Sequence, residues 1–330
     1  MKQAAITGEK IATLVDKDIP RLQEGWALVK IMSAPICAEY KEFVRGHRSD
    51  CLGHEAAGEV VEVAPGSKVK VGDRVVVMPQ YPCGECEYCI AGDYIYCEHT
   101  LNYSAATMAQ YIAKPSFLLP KIPDGVSYDE AALACCGLGP SYGALRKMGV
   151  DAFGVLLITG LGPVGIGALV NAKFRGARVI AVEMNPYRTH LAMELGADEI
   201  VDPRDPDTSA NIKALTGGHG PDWGIDCSGV VAAHRLLIDA VRRVGKIAFV
   251  GECGAETPLR ISQDMLRKGL HLIGNWHYNL NDFPNIMQVI QKSPVATQMI
   301  THRLPMSQIQ QAFEISSGQN SAKIILHPWE

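Results

Sequence analysis

The sequence predicts an α/β protein of two domains: a β-rich, barrel-like one and a doubly wound parallel sheet. Three observations predict it. The chain has 330 residues, more than one ordinary core serves. Its first ~135 residues carry short β-branched runs cut by Gly, Pro and Asp. After Cys136 the pattern becomes strand–helix alternation, which builds a parallel sheet wound on both faces.

The elements follow in order. GWALVKIM, AAGEVVEV and DRVVVMP read as strands of a small antiparallel domain. VLLIT is the first strand of the second domain; a glycine turn follows, then an apolar helix through about Arg175. RVIAV is the next strand and PYRTHLAMELG the next helix, with glycine as its stop. EIV, WGID, KIAFV and HLIG are further strands, with helical stretches such as VAAHRLLIDAVRR between them. After about Trp276 the pattern changes again. The helical FPNIMQVIQ and the strand KIILH are expected to rejoin the first domain. The expected domains are therefore 1–137 with 277–330, and 138–276 between them.

Composition narrows the class. A 47% hydrophobic and 20% charged chain is globular rather than disordered. Net charge is −4 with no long basic block, so no nucleic-acid partner is expected. The most apolar run, GVLLITGLGPVGIGALV, is broken by glycines and a proline. It suits a buried strand and turn, not a membrane span. MKQAAITGEKIATLV lacks the apolar core of a signal peptide, so the expected location is the cytoplasm. Ten cysteines there read as metal or chemistry before disulfides.

YPCGECEYCIAGDYIYC holds Cys83, Cys86, Cys89 and Cys97. Two-residue gaps let thiolates converge on one ion, and four sulfurs close a tetrahedral shell around zinc. A closed shell leaves no open place, so this site is expected to be structural. Iron–sulfur clusters use related spacings, but nothing else in the chain suggests electron transfer.

GLGPVG, with Gly160, Gly162, Pro163, Val164 and Gly165, follows a strand and opens a helix. The first glycine permits the turn, the second lets a pyrophosphate approach, and the third allows close helix–strand packing. The phosphates then meet the positive end of a helix. Glu183 lies 23 positions beyond Gly160, near the spacing of ~20 at which a carboxylate meets the ribose. It argues for NAD over NADP. Arg188 argues weakly the other way, since a cation there could meet a 2′-phosphate.

A nicotinamide cofactor needs a group that polarises the substrate. Cys37, the His54-Glu55 pair and the Cys135-Cys136 pair are candidates, but spacing cannot join them. Their surroundings do. GHEAAGEVVEV, KVGDRVVV, the four-cysteine lobe, IPDGVSYDEAAL, CGLGPSYGAL, GLGPVG and ITHRLPMSQIQQAFE together resemble the zinc-dependent medium-chain dehydrogenases, the alcohol dehydrogenase family. The resemblance runs over nearly the whole chain. It implies a GroES-like catalytic domain completed by the C-terminal segment, a Rossmann domain between, and a second zinc, catalytic, with an open place. It implies that Cys37, His54 and Cys136 bind that zinc, with Glu55 beside it, Cys135 as packing and Lys323 near the cofactor phosphates. It also implies a small-molecule alcohol or carbonyl substrate, transfer of hydride to or from NAD, and a homodimer or homotetramer.

One departure stands out. The family usually carries Ser or Thr two residues after the first cysteine ligand, as a proton relay; here that position is Glu39, followed by Tyr40. Glu39 is expected either to carry the proton itself, to touch the metal, or to bond a polar substrate or another residue. Of these the relay is favoured. Tyr40 and His47 are nearby titratable alternatives. With Trp276, His277 and Asn279, Glu39 and His47 could line a polar cleft, so a sugar, cyclitol or polyol is the expected substrate, and simple alcohols or aldehydes come next. Two other readings remain open: a redox-neutral NAD-dependent epimerase or lyase, and a non-catalytic nucleotide-sensing protein.

Overall fold

The structure is a computed structural model that describes residues 1–101 and 105–330. The chain divides into two compact units. The first comprises residues 1–137, 279–292 and 300–330; the second comprises 138–278 and 293–299. The C-terminal segment thus returns to the first unit. Residues 277 and 278, expected there, belong to the second unit, as does the short stretch 293–299.

The first unit opens with a hairpin, β1 (Lys2–Gly8) and β2 (Ile11–Asp16). Its main sheet is organised by β3 (Trp26–Pro35), long enough to take three partners. β4 (Ala56–Val63) lies antiparallel to it, and β5 (Arg74–Val77) extends the sheet beyond β4. β6 (Tyr111–Pro115) pairs with residues 26–30 of β3. The helices here are short: α1 (Tyr40–Arg45), α2 (Glu87–Ile90) and α3 (Tyr128–Ala132), the last opened by a capping box between Ser127 and Glu130. Alternating Val29, Ile31, Val60, Val75 and Val77 face one core with Phe43 and Phe313.

The second unit begins with α4 (Gly139–Met148), then runs β7 (Val155–Thr159), α5 (Pro163–Phe174), β8 (Arg178–Val182), α6 (Pro186–Glu194), β9 (Glu199–Val201), α7 (Thr208–Ala214), β10 (Trp223–Asp226), α8 (Val231–Ala240), β11 (Lys246–Phe249) and β12 (His271–Gly274). Its sheet is parallel throughout, in the order β12-β11-β10-β7-β8-β9. Strand order reverses at β7, which is the crevice of a doubly wound sheet. The central strands are buried on both faces, as their unbroken apolar runs require.

The chain then re-enters the first unit with α9 (Phe283–Lys292), β13 (Ile300–Pro305), α10 (Ile309–Ser317) and β14 (Lys323–His327). β14 runs parallel to β13 and pairs with Ala34 and Pro35 at the end of β3. That register carries the last strand to the residues just before Cys37. Among the described residues, no helix is long and apolar enough to cross a membrane.

Candidate functional site

In the first unit, three separate segments bring donor atoms together. Cys37 lies just after β3. His54 and Glu55 precede β4 on a turn made by Gly53, whose φ is +86° and whose missing Cβ would strike Thr107 and Met108. Only glycine fits there, which is why the turn reads GHE. Cys136 follows α3. The ligand atoms of Cys37, His54, Glu55 and Cys136 all lie within 4.8 Å of one another. The Nε2 of His54 is 3.0 Å from the sulfur of Cys136.

The electrostatics fit a cation. The hydrogen bond from Cys136 holds the Cys37 thiol well below its usual range against the penalty of burial, and the charges of Lys323 and His54 add to it. The same bond, with burial, pushes Cys136 up. Burial would lower His54, but Cys37 and Glu39 together raise it well above the ordinary imidazole value. Two thiols, an imidazole and a carboxyl crowded this closely are a donor set for a divalent ion, and N/S donors in this mix suit zinc.

Glu39 sits at the start of α1 with its carboxylate turned inward. Oε2 accepts from the backbone N–H of Cys37 at 2.8 Å, and Oε1 lies 3.0 Å from Nδ1 of His54, off the line of a straight hydrogen bond. The imidazole therefore faces the carboxylate with one nitrogen and the sulfurs with the other. Tyr40 packs partly buried against the core, and His47 is exposed and paired with Glu42 at 2.6 Å.

Glu55 is fully buried, and burial raises its carboxyl to about 7 against the opposing pull of Lys323. It pairs with Lys323, accepts from the N–H of Cys136 at 3.0 Å, and Lys323 in turn donates to the carbonyl of Ile36 at 3.2 Å. The family pattern is expected to set Lys323 near the cofactor phosphates, and the structure shows its immediate partners within the first unit. Lys323 is buried behind the donor cluster, its ammonium spent on Glu55 and Ile36. Cys135 is buried against the carbonyl of Val77 at 3.7 Å.

The four-cysteine lobe is a second donor set. Its sulfurs lie 3.5 Å (Cys86–Cys89), 3.8 Å (Cys86–Cys97) and 3.6 Å (Cys83–Cys97) apart. A tetrahedral shell with zinc–sulfur bonds of about 2.3 Å has edges of about 3.8 Å. The sulfurs already stand near those corners. Backbone N–H groups of Glu85 and Cys86 pull the Cys83 thiol down to about 6, while burial pushes Cys89 up to about 12 and raises Cys97 as well.

Sequence reasoning placed Asn279 in a polar cleft. Instead it is buried, accepting from Ile95 N at 3.2 Å and donating to Asp93 at 2.9 Å, so it clamps the turn on both sides of Tyr94. The Tyr94 hydroxyl is buried and has no hydrogen-bond partner among the described residues. Trp276 is exposed on the second unit beside His277, whose φ of +48° is unusual for a non-glycine residue.

In the second unit the three glycines of the turn occupy different environments. Gly160 has φ +83° and lies against Ser228. A Cβ on Gly165 would strike the carbonyl of Gly160. Among the described residues nothing lies within 4 Å of a would-be Cβ on Gly162, and no side chain caps α5, which begins at Pro163 and Val164. This open cradle at a helix N-terminus fits a pyrophosphate. Glu183 follows β8 directly and reaches back to Leu161 N at 2.9 Å, while its other oxygen takes the N–H groups of Met184 and Asn185. Arg188 lies in the first turn of α6, and its Nε is buried without a hydrogen-bond partner among the described residues.

Comparison with known proteins follows these lines. Residues 23–124 match the alcohol dehydrogenase GroES-like domain, and residues 163–292 match the zinc-binding dehydrogenase family. D-arabitol-phosphate dehydrogenase of Enterococcus avium is 30% identical over 329 residues, covering 94% of this chain and 92% of that protein. L-threonine 3-dehydrogenase of Symbiobacterium thermophilum is 31% identical, covering 96% and 94%. The solved structure of 2R,3R-butanediol dehydrogenase from Bacillus subtilis superposes with a TM-score of 0.85 at 26% identity over 99% of each chain.

Proposed function

The chain belongs to the zinc-dependent medium-chain dehydrogenases, and on that premise we propose that it transfers hydride between NAD and a carbinol or carbonyl carbon of a small hydroxylated molecule. The observation that carries this reading is the convergence of Cys37, His54 and Cys136 in the first unit. An open cation site is not something a fold needs for itself. It also weighs against a non-catalytic nucleotide sensor.

Cys37, Cys136 and His54 would hold the catalytic zinc, and the four lobe cysteines the structural one. When bound, zinc supplies Lewis-acid polarisation of a substrate oxygen, and the nicotinamide supplies or takes the hydride. The chain's own residues set the stage. Cys37 is already disposed to be a thiolate, and Cys136, held up by burial and by Cys37, would lose its proton when zinc is bound. Glu39 faces Nδ1 of His54, which fixes the ring and leaves Nε2 toward the sulfurs. Glu55 and Lys323 lock the Cys37 and Cys136 backbones together from behind. Glu39 has Oε2 on the Cys37 N–H and Oε1 beside Nδ1 of His54, so we assign it to orienting His54 rather than to the relay.

The open space at Gly162 supports a bound pyrophosphate, and Glu183 supports NAD. The unpartnered Nε of Arg188 favours NADP as the second reading. The names of the relatives (a polyol phosphate, an amino acid with a hydroxyl, a diol) support a polar hydroxylated substrate. Ten cysteines free of disulfides suit the reducing cytoplasm, and a homo-oligomer fits the family. The test is a screen of polyols, diols, hydroxy amino acids and simple alcohols with NAD and NADP, reading absorbance of the reduced cofactor. Stoichiometric release is expected for a hydroxylated substrate with NAD. Turnover of a sugar without any release would overturn the reading in favour of a redox-neutral epimerase or lyase.

A further inference from the structure

The second unit holds a buried polar chain that the chemistry above does not use. Asp226 ends β10 and is fully buried. Its Oδ1 accepts from Thr159 at 3.0 Å, from Ser228 N at 3.2 Å and from the Ser228 hydroxyl at 2.6 Å. Its Oδ2 accepts from Gly229 N at 2.9 Å and from Nε2 of His234 at 3.1 Å. His234, on the first turn of α8, is itself buried, with the Phe249 ring edge-on at 5.0 Å. Its Nδ1 lies 2.6 Å from the hydroxyl of Thr257. A carboxylate can only accept, so Nε2 carries the proton and Nδ1 takes the hydrogen bond of Thr257.

This chain joins three loops. Thr159 leads into the glycine turn, Ser228 and Gly229 follow β10, and Thr257 lies in the loop after β11. All three leave the carboxyl ends of neighbouring strands, where a doubly wound sheet binds its ligand. The contacts are close: a Cβ on Gly160 would meet Ser228 at 2.8 Å, and one on Gly251 would meet Oδ2 of Asp226 at 2.7 Å. Strand order then assigns a side. Glu183 stands just past the end of β8, to one side of β7; β10 and β11 stand on the other. A dinucleotide with its pyrophosphate at Gly162 and its adenosine ribose at Glu183 must send its other half over the ends of β10 and β11.

We propose that His234 is a positioning residue for the nicotinamide half of the cofactor: through Asp226 and Thr257 it holds the loops after β10 and β11 in register with the glycine turn. This rests on the dinucleotide reading above. A loop held only by its ends is free to leave that register, and the bound half would then have to order it at a cost in affinity.

The experiment compares two probes on the full-length protein: NADH, read by its fluorescence, and AMP, read by calorimetry. AMP reports the adenosine side alone. His234→Ala is expected to weaken NADH about tenfold or more, the worth of one charge-assisted hydrogen bond, while AMP changes by less than about twofold. His234→Gln, which can still donate to Asp226 and accept from Thr257, is expected to restore most of the NADH affinity. Thr257→Val cuts only the far end of the chain and is expected to shift NADH in the same direction, so the test survives if His234→Ala fails to fold. Equal weakening of NADH and AMP by either variant, or unchanged NADH affinity in Thr257→Val, overturns the proposal. Wild-type protein that binds neither probe would instead overturn the dinucleotide reading itself.

Discussion

Glu39 shows what one residue changes. A hydroxyl at its position would have one donor and little reach; the longer carboxylate spans both Cys37 N–H and His54. Outer partners of a ligating histidine commonly support metal affinity by 10–100-fold, on the order of what a lost carboxylate removes. Glu39→Gln is therefore expected to release the zinc held by Cys37, His54 and Cys136 at about tenfold lower chelator concentration. The four-cysteine zinc, which Glu39 does not touch, should stay. Metal content after graded chelation measures this. Two zincs held as tightly as in the wild type, together with a displaced pH–rate profile, would return Glu39 to the relay role. A second residue-scale expectation concerns Tyr94, whose hydroxyl is buried and finds no partner among the described residues. Tyr94→Phe removes an unsatisfied group and keeps the ring, so it should stabilise the first unit by about 1 kcal/mol. A lower denaturation midpoint would mean that the hydroxyl has a partner in solution. Neither environment was readable from sequence: ICAEY displays the glutamate, but not the turn that aims it inward.

Elements differ in how legible they are, and the difference follows contact range. The second unit was open to reading because its strands are continuous apolar runs and its turn chemistry is local, as in VLLIT followed by GLGPVG. The four cysteines fall within fifteen consecutive positions, so spacing alone brings them together. What spacing cannot give is a tie between distant elements. Asp129 on α3 takes hydrogen bonds from Ser33 on β3, Arg303 on β13 at 2.7 Å and His327 on β14 at 3.0 Å, the last pair 198 positions apart. Burial works to raise this carboxyl, but Ser33, Arg303 and His327 together hold it below its ordinary value. The sign follows. A carboxyl lowered by folding adds stability above its unfolded value of 3.8, and that stability is lost as pH falls through the lower folded value. Asp129→Asn should cost about 2 kcal/mol at neutral pH, the scale of charge-assisted bonds. The gap to wild type should hold from pH 8 to about 4 and close below it. Denaturation of both proteins across that range measures it; a gap that persists at pH 3 would exclude the carboxylate charge as its source.

At the scale of the whole chain, the first unit cannot be completed until the last strand is made. Residues 1–137 supply the donor cluster, but the cation that faces Glu55 arrives 268 positions later on β14. The motif SAKIILH shows a lysine at the head of an apolar strand, and that is the one trace in the sequence: a charge entering a buried run must have a buried partner. The partner's identity depends on the pairing of β14 with Ala34 and Pro35, which sets Lys323 under Ile36 and against Glu55. Both side chains are fully buried, so the pair adds little over an apolar pair of the same shape, yet breaking it is costly. Lys323→Met leaves Glu55 buried without its cation, so the carboxyl must take up a proton or stand as an unpaired charge, and the expected loss is up to about 3–5 kcal/mol for the first unit. Glu55→Gln added to Lys323→Met removes that charge and should recover most of the loss. The non-additivity, read from denaturant midpoints of the two single variants and the double, is the measurement. If the double variant is simply the sum of its singles, Lys323 is supported by something other than Glu55. If it recovers, the chain's last strand acts as the electrostatic closure of a site whose donors all lie in its first 136 residues.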